Sequence, residues 1–230
     1  MSSEKRYFNF PIQLLDGFMI KKDDCLNDIL HFALYDHAIN NLKHGTIAHR
    51  FSETANYYSV SLGSLEFTLQ EGKRLYSEFG EEKVKVGISK EIYWDFRTND
   101  KTPFEDVCLL AYLALRSILR NKPFCKITNL YWLSRMNGNT HALDEVCEIS
   151  EPLKKYANEY QLNKIKFYLM DAWNLVHYGR YTRGFYISFK LDLGDLVYQV
   201  EKKRKSLKMR QQKDAQKLAL TMALEKLKNE

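Results

Sequence analysis

Apolar positions recur at helical spacing along most of the chain, and the interruptions mark where it turns. Leu26, Ile29, Leu30, Ala33, Leu34 and His37 line one face of a helix over about 25–41, opened by Asp23 and Asp24 and closed at Lys43-His44-Gly45. Before it, Tyr7 to Ile20 reads as a short extended segment. A further helix opens near Ser52, breaks at Ser59-Val60-Ser61, and gives way to another from Gly63-Ser64 to about Phe79. In this stretch Ala55 is small enough for two helices to cross closely, Val60 plugs the turn, and Leu65 and Leu69 anchor the second helix. That spacing is the one a helix-turn-helix uses, and an ordinary helical hairpin uses it too. Residues 81–90 read as a charged connector carrying a short strand, Val84 to Ile88.

The second half has sharper boundaries. Thr102-Pro103-Phe104-Glu105 is a capping box with proline in the first turn, and the helix it starts, to about Asn121, is apolar nearly all round. Pro123 stops it. Thr128 caps a short helix that ends at Asn137-Gly138, and a polar loop runs to Ser150, where Glu151-Pro152 opens another short helix. A longer helix over about 161–174 points Leu162, Ile165, Leu169 and Trp173 inward. Directly after it, aromatic and β-branched residues from Leu175 to Leu191 flank a Gly/Arg/Thr turn, as in a β-hairpin. Helix, short helix, helix, hairpin is the order of a winged helix. From Asp192 on, one long helix has Leu193, Val197, Val200, Leu207, Leu218 and Met222 as a sparse apolar stripe.

These elements predict a mainly α fold with small β-hairpins: a helix-turn-helix half (1–90), a winged-helix half (91–191) and a basic C-terminal helix (192–230). Because 81–101 holds no Pro/Gly/Ser-rich linker, the halves can also share one core. With 45% hydrophobic residues, 15 Tyr and 13 Phe against 10 Gly and 4 Pro, the chain can bury a core, which excludes a disordered or collagen-like chain. The apolar run from Phe8 to Ile20 is interrupted by Asn9, Gln13 and Asp16, so it serves neither as a signal peptide nor as a membrane span, and a cytoplasmic protein without a membrane partner is expected. Cys25, Cys108, Cys125 and Cys147 are far apart and form no Cys-x-x-Cys pair, which points to reduced thiols and not to a zinc site.

Charge changes the picture through its distribution. The net charge is +6, yet residues 1–200 hold 25 basic and 25 acidic side chains while 201–230 hold 10 basic and 4 acidic. A cationic segment on a neutral body suits a polyanion, and it also suits a solvated helix. Lys202, Lys203, Arg204, Lys205, Lys208 and Arg210 are the candidates there for phosphate contact. On the hairpin, Arg180 and Arg183 sit where a wing approaches the sugar-phosphate backbone or the minor groove, and arginine supplies planar multi-donor contacts. The preceding helix is the candidate reader, with Asn163, Lys164, Lys166, Phe167, Tyr168 and Asp171 expected on its outer face. The corresponding helix of the first unit offers Ser61, Ser64, Thr68, Lys73 and Arg74 beside Glu66 and Glu71, whose carboxylates repel phosphate, so that unit reads as structural or protein-binding.

Enzymatic signatures do not emerge. No Gly-rich phosphate loop, Gly-x-Ser-x-Gly elbow or His-Glu-x-x-His is present, and the six histidines are scattered. Asp95, Asp100, Glu105 and Asp106 gather at a helix start, where carboxylates favour the positive end of the dipole. The expectation is a non-enzymatic protein without metal or cofactor.

The order of elements in the second half, above all the segment from Trp173 to Leu191 and the helix before it, resembles the replication initiators of plasmids and phages, which hold repeated origin sequences with paired winged-helix domains. The phrase Tyr7-Phe-Asn-Phe-Pro-Ile-Gln-Leu-Leu14 is also similar to proteins of mobile elements. The resemblance implies a DNA-binding regulator or replication accessory protein of a mobile element, with double-stranded DNA as partner. Read without it, the same elements also make a helical interaction scaffold, with the C-terminal helix forming a homodimer.

Overall fold

The computed structural model describes residues 6–179 and 184–228. The fold is mainly α, with two small antiparallel sheets of two and three strands and a long C-terminal helix. Strand β1 (Tyr7–Pro11) leads through a 3₁₀ turn into α1 (Lys22–Asn40), followed by α2 (Ile47–Tyr58), α3 (Leu65–Phe79) and β2 (Lys85–Ser89). β1 and β2 pair in register from Tyr7 with Ser89 to Pro11 with Lys85, which ties the start of the chain to the segment after α3. Helix α4 (Lys90–Thr98) comes next, capped by the Ser89 hydroxyl.

In the first unit α2 and α3 are joined by a short turn, and the details differ from the sequence reading. α2 begins at Ile47 and not at Ser52, because Thr46 accepts a hydrogen bond from the His49 N–H and caps it there. Ala55 and Val60 are buried, as their roles at the crossing and in the turn require. Leu65 is 40% exposed and does not anchor α3. That helix is held by Thr68, Gly72 and Leu75 instead. Gly72 sets the closeness of the α1–α3 crossing: a Cβ there would lie 2.7 Å from the His31 carbonyl oxygen and 2.9 Å from Tyr35 Cβ.

α5 (Pro103–Leu119) is the axis of the molecule. Thr102 and Glu105 form the expected capping box, with the Glu105 carboxylate accepting from the Thr102 N–H at 2.9 Å and from its hydroxyl at 2.8 Å. Val107 through Ala111 and Leu113 through Leu115 are all buried. One side of α5 meets β2, the others α6 (Asn129–Met136) and α8 (Glu159–Trp173), so a single continuous buried cluster runs from Phe8 to Ile187 through both halves. Trp132 on α6 is completely buried, and its indole N–H donates to the Ala111 carbonyl at 3.1 Å.

Around α5 the second half runs in the expected element order: α5, β3 (Cys125–Ile127), α6, α8, β4 (Val176–Tyr178) and β5 (Phe185–Ser188), with strand order β3-β5-β4. Residues 137–158, with a one-turn helix α7 (Glu151–Lys154), are inserted between α6 and α8. The α9 helix (Leu193–Lys228) spans 36 residues, or about 54 Å at the usual helical rise. No helix among the described residues is long and apolar enough to cross a membrane.

Candidate nucleic-acid interface

Helix α8 is well specified locally. The Asn158 side chain accepts from the Gln161 N–H at 3.0 Å, and Asn174 ends the helix in the left-handed conformation, with the Leu175 N–H reaching the Leu169 carbonyl at 3.1 Å. Leu162, Ile165 and Leu169 are buried as the periodicity requires. Trp173 is half-buried, stacked on Tyr112 with ring centroids 4.7 Å apart.

The opposite face of α8 carries Tyr160, Asn163, Lys164, Phe167, Met170 and Asp171, all exposed; Tyr160 is 74% and Phe167 63% accessible. Asn163 and Lys164 are therefore available on the outer face, although the Lys164 ammonium leans back to 4.6 Å from the Phe104 ring centroid. Tyr168 is half-buried, edge-on to Phe104. Lys166 departs from expectation most clearly. It lies next to the buried Ile165, on the side turned toward the hairpin, and is buried with its ammonium 4.1 Å from the Phe185 ring centroid.

The hairpin lies between the helical core and α9. Alternation along β5 sends Phe185 and Ile187 into the main core and Tyr186 to the other face. There Tyr186 meets Leu196 and Val200 of α9, with Phe124, Val176, Tyr178 and Leu191 around them. Gly184 keeps a positive φ of 91° and packs its Cα against the Ile127 carbonyl and the Thr128 Cα, a place without room for a side chain. Ser188 ends the strand, donating to the Pro123 carbonyl at 2.8 Å and accepting from the Lys190 and Leu191 N–H groups. Arg180 and Arg183 of the turn lie outside the described residues.

Docking fixes only the first turns of α9. Asp192 caps them, its carboxylate accepting from the Asp195 N–H at 2.7 Å. Leu196, not Leu193, makes the apolar contact together with Val200. Arg204 is not a free cation: it is half-buried and pairs with Glu201 at 2.8 Å, and Tyr178 donates its hydroxyl to the same carboxylate at 3.0 Å. This small network pins α9 to β4. Lys202, Lys203, Lys205, Lys208 and Arg210 are exposed, and from Lys205 to Met222 every residue is exposed.

Elsewhere several of the charges are partnered, though Lys73 on α3 is exposed and has no ion pair among the described residues. On α3, Arg74 bonds Glu71 at 2.9 Å and Glu78 at 3.5 Å, and Thr68 is buried with its hydroxyl on the Ser64 carbonyl. The carboxylates near the start of α5 have structural partners: Asp95 pairs with Lys101 at 2.8 Å, Glu105 completes the cap, and Asp106 meets Lys22 at 2.7 Å. Those bonds hold the Asp95 and Glu105 carboxyls below the usual carboxylate range. Burial pushes the Cys25 and Cys125 thiols up to about 11 and Cys108 to about 12, so these three free cysteines are poor nucleophiles at neutral pH. Among the described residues no group of three or more His, Cys, Asp or Glu side chains is placed to hold a metal ion.

Comparison with known proteins finds no matching family model, no similar curated protein and no similar solved structure.

Proposed function

We propose that this is a non-enzymatic DNA-binding protein, acting as a regulator or replication accessory factor, in which the winged-helix half meets duplex DNA and α9 adds phosphate contacts. The observation that carries the reading is the nearness of two unspent features on adjoining elements. The outer face of α8 is uncovered beside the hairpin, and the hairpin sheet anchors a helix whose Lys202, Lys203, Lys205, Lys208 and Arg210 face solvent without ion-pair partners among the described residues. Phosphate contacts from such cations supply affinity and steering, while Asn163 and Lys164 on α8 have the chemistry to address base edges.

The test is fluorescence anisotropy on a mixed-sequence duplex across a salt series, comparing the full chain with a variant carrying Lys203, Lys205, Lys208 and Arg210 as Gln. The expected result is tight binding at low salt, with a log–log salt slope that flattens by about 3 to 4 in the variant. Absence of binding to duplex or single strands at low salt overturns the reading.

A second reading, an interaction scaffold, is favoured by the apolar side chains of these same elements. Tyr160, Phe167 and Met170 are exposed on α8, and Leu218, Leu220 and Met222 near the end of α9. A homodimer through α9 belongs to this reading. Sedimentation of the full chain against one ending after Ser206 tests it, because that truncation keeps Leu196 and Val200 over Tyr186 while removing the free part of the helix. Loss of a dimer on truncation supports the scaffold; an unchanged monomer removes the homodimer.

A further inference from the structure

Where α6, α8 and the hairpin meet, a pocket of about 360 Å³ opens beside the outer face of α8. Its polar lining comes from Asn129 at the start of α6, Asn163 and Lys166 on α8, and His177 on β4, with Glu159 at the rim and the Phe185 ring as an apolar wall. Lys166 is only 8% exposed. Its ammonium has one long hydrogen bond, 3.4 Å to Asn163 Oδ1, and one ring face, that of Phe185, and it forms no ion pair among the described residues. A buried ammonium so sparsely partnered has given up hydration that neither contact replaces. Its pKa is lowered by burial, with Glu159 opposing the shift more weakly. His177 is lowered as well, by burial first and by Lys166 second. Asn129 adds a buried side-chain oxygen without a hydrogen-bond partner, and a turn of that amide presents its NH₂ instead. Among the described residues, the pocket thus gathers a desolvated cation, two amides and an imidazole, with a single opposing carboxylate in its lining.

We propose that this pocket receives one backbone phosphate of a nucleic acid, with Lys166 as the cation that holds it. That the phosphate belongs to DNA rests on the function proposed above; that the pocket takes a phosphate rests on its own lining. Filling it supplies the counter-charge that Lys166 lacks and donor partners from Asn129, Asn163 and His177 for the phosphate oxygens. Because the pocket is bounded by three separate elements, the contact fixes how α8 sits against the duplex, engages Asn163 on the phosphate, and leaves base choice to Lys164 and the rest of the outer face.

The full-length protein is tested in two arms. In the first, anisotropy on two unrelated duplexes over a salt series compares wild type with Lys166→Met, whose unbranched apolar chain replaces the lysine stem, and with Lys166→Arg. The expected result is roughly tenfold weaker binding of both duplexes by Lys166→Met at low salt, a salt slope smaller by about 1, and retention by Lys166→Arg. Thermal melts check the fold, and Lys166→Gln replaces the Met variant if that one does not fold. In the second arm, the side-chain amide resonances of Asn129 and Asn163 are followed during titration with inorganic phosphate, against chloride at matched ionic strength. Saturable shifts in wild type that vanish in Lys166→Met are expected. If wild type binds DNA while the folded Lys166 variants match its affinity and slope, the pocket is overturned and the DNA reading stands. If no DNA binds yet phosphate shifts the amides, the pocket stands and the DNA reading falls. If neither is seen, both fall.

Discussion

In the first half, several cations around α2 and α3 are committed to neighbours: Arg74 to Glu71 and Glu78, Lys85 to Asp36, and Lys22 across to Asp106 on α5, while Lys73 on α3 has no ion pair among the described residues. In the second half, among the described residues, Lys166 is buried without a carboxylate bound to it, and of the cations on α9 between Lys202 and Arg210 only Arg204 is paired. Both halves set helices beside a small antiparallel sheet. What separates Arg74 from Lys166 is whether folding has brought a carboxylate to the cation. Counting residues along the chain shows the basic excess of the tail but cannot show this, because neutralisation depends on partners that meet only after folding. A paired surface cation contributes little to stability and is correspondingly less available to an external anion.

The contrast can be broken or sharpened in several ways. The largest effect is expected from Trp132→Ala, which empties the centre of the shared core at a cost of about 3–5 kcal/mol. Because α5 and its neighbours serve both halves, denaturant melts followed by far- and near-ultraviolet circular dichroism should shift together as one transition; two separated transitions would show two independent units. Gly72→Ala comes next, at about 1–3 kcal/mol, since the added methyl meets the His31 carbonyl and the Tyr35 side chain. Below its melting temperature this variant should bind DNA as wild type does, and weaker binding by a fully folded variant would give the first half a part in recognition.

Charge removal then separates the halves directly. Lys203→Gln should lower the salt slope of DNA binding by about 1, whereas Arg74→Gln should leave it unchanged; equal effects would erase the distinction between spent and unspent cations. Tyr178→Phe removes the hydroxyl held by Glu201 and should loosen the first turns of α9 by about 0.5–1.5 kcal/mol, read as faster amide exchange around Leu196 and Val200. The smallest effect concerns the cap of α5. The Thr102 hydrogen bonds depress the Glu105 pKa below its usual 4.5, so their contribution is present above that value and is lost as pH falls through the folded pKa. Glu105→Gln should therefore flatten the acid limb of stability below about pH 4.5 while changing little of the alkaline side.

Much of this fold is legible from residues alone where signals are local. The Thr102-Pro103-Glu105 start, the Thr128 cap and Asn137 stop of α6, and the stripe of Leu162, Ile165 and Leu169 all depend on neighbours within a turn or two, and each appears where the sequence places it. Elements made by distant partners are not legible. β3 is three residues after a proline and exists because β5 offers it an edge, and α4, inside a segment that reads as connector, is fixed by burial of Tyr93 and Phe96. The candidate interface divides along the same line. Asn163 and Lys164 face outward as periodicity predicts, whereas the burial of Lys166 depends on a ring contributed by the hairpin, and Arg204 is taken up by a carboxylate that β4 helps to hold. Lys166 directly follows an inward-facing isoleucine, and helical periodicity alone cannot say which neighbour covers that flank.

The strand order of the three-stranded sheet has a consequence for how the chain matures during synthesis. β1 has its partner strand as soon as β2 has been made, before the second half is translated. In the other sheet the last strand in sequence is the central one, and both β3 and β4 pair with it alone. Until Phe185–Ser188 emerges, β3 waits as an unpaired edge across the whole of α6, the insertion and α8, a closure of high sequence separation and correspondingly slow. The next residues out begin α9, whose Leu196 and Val200 cover the new strand's outer face, so a nascent chain halted between Ser188 and Leu196 would present Tyr186 and its apolar neighbours to whatever chaperone or aggregate reaches them first.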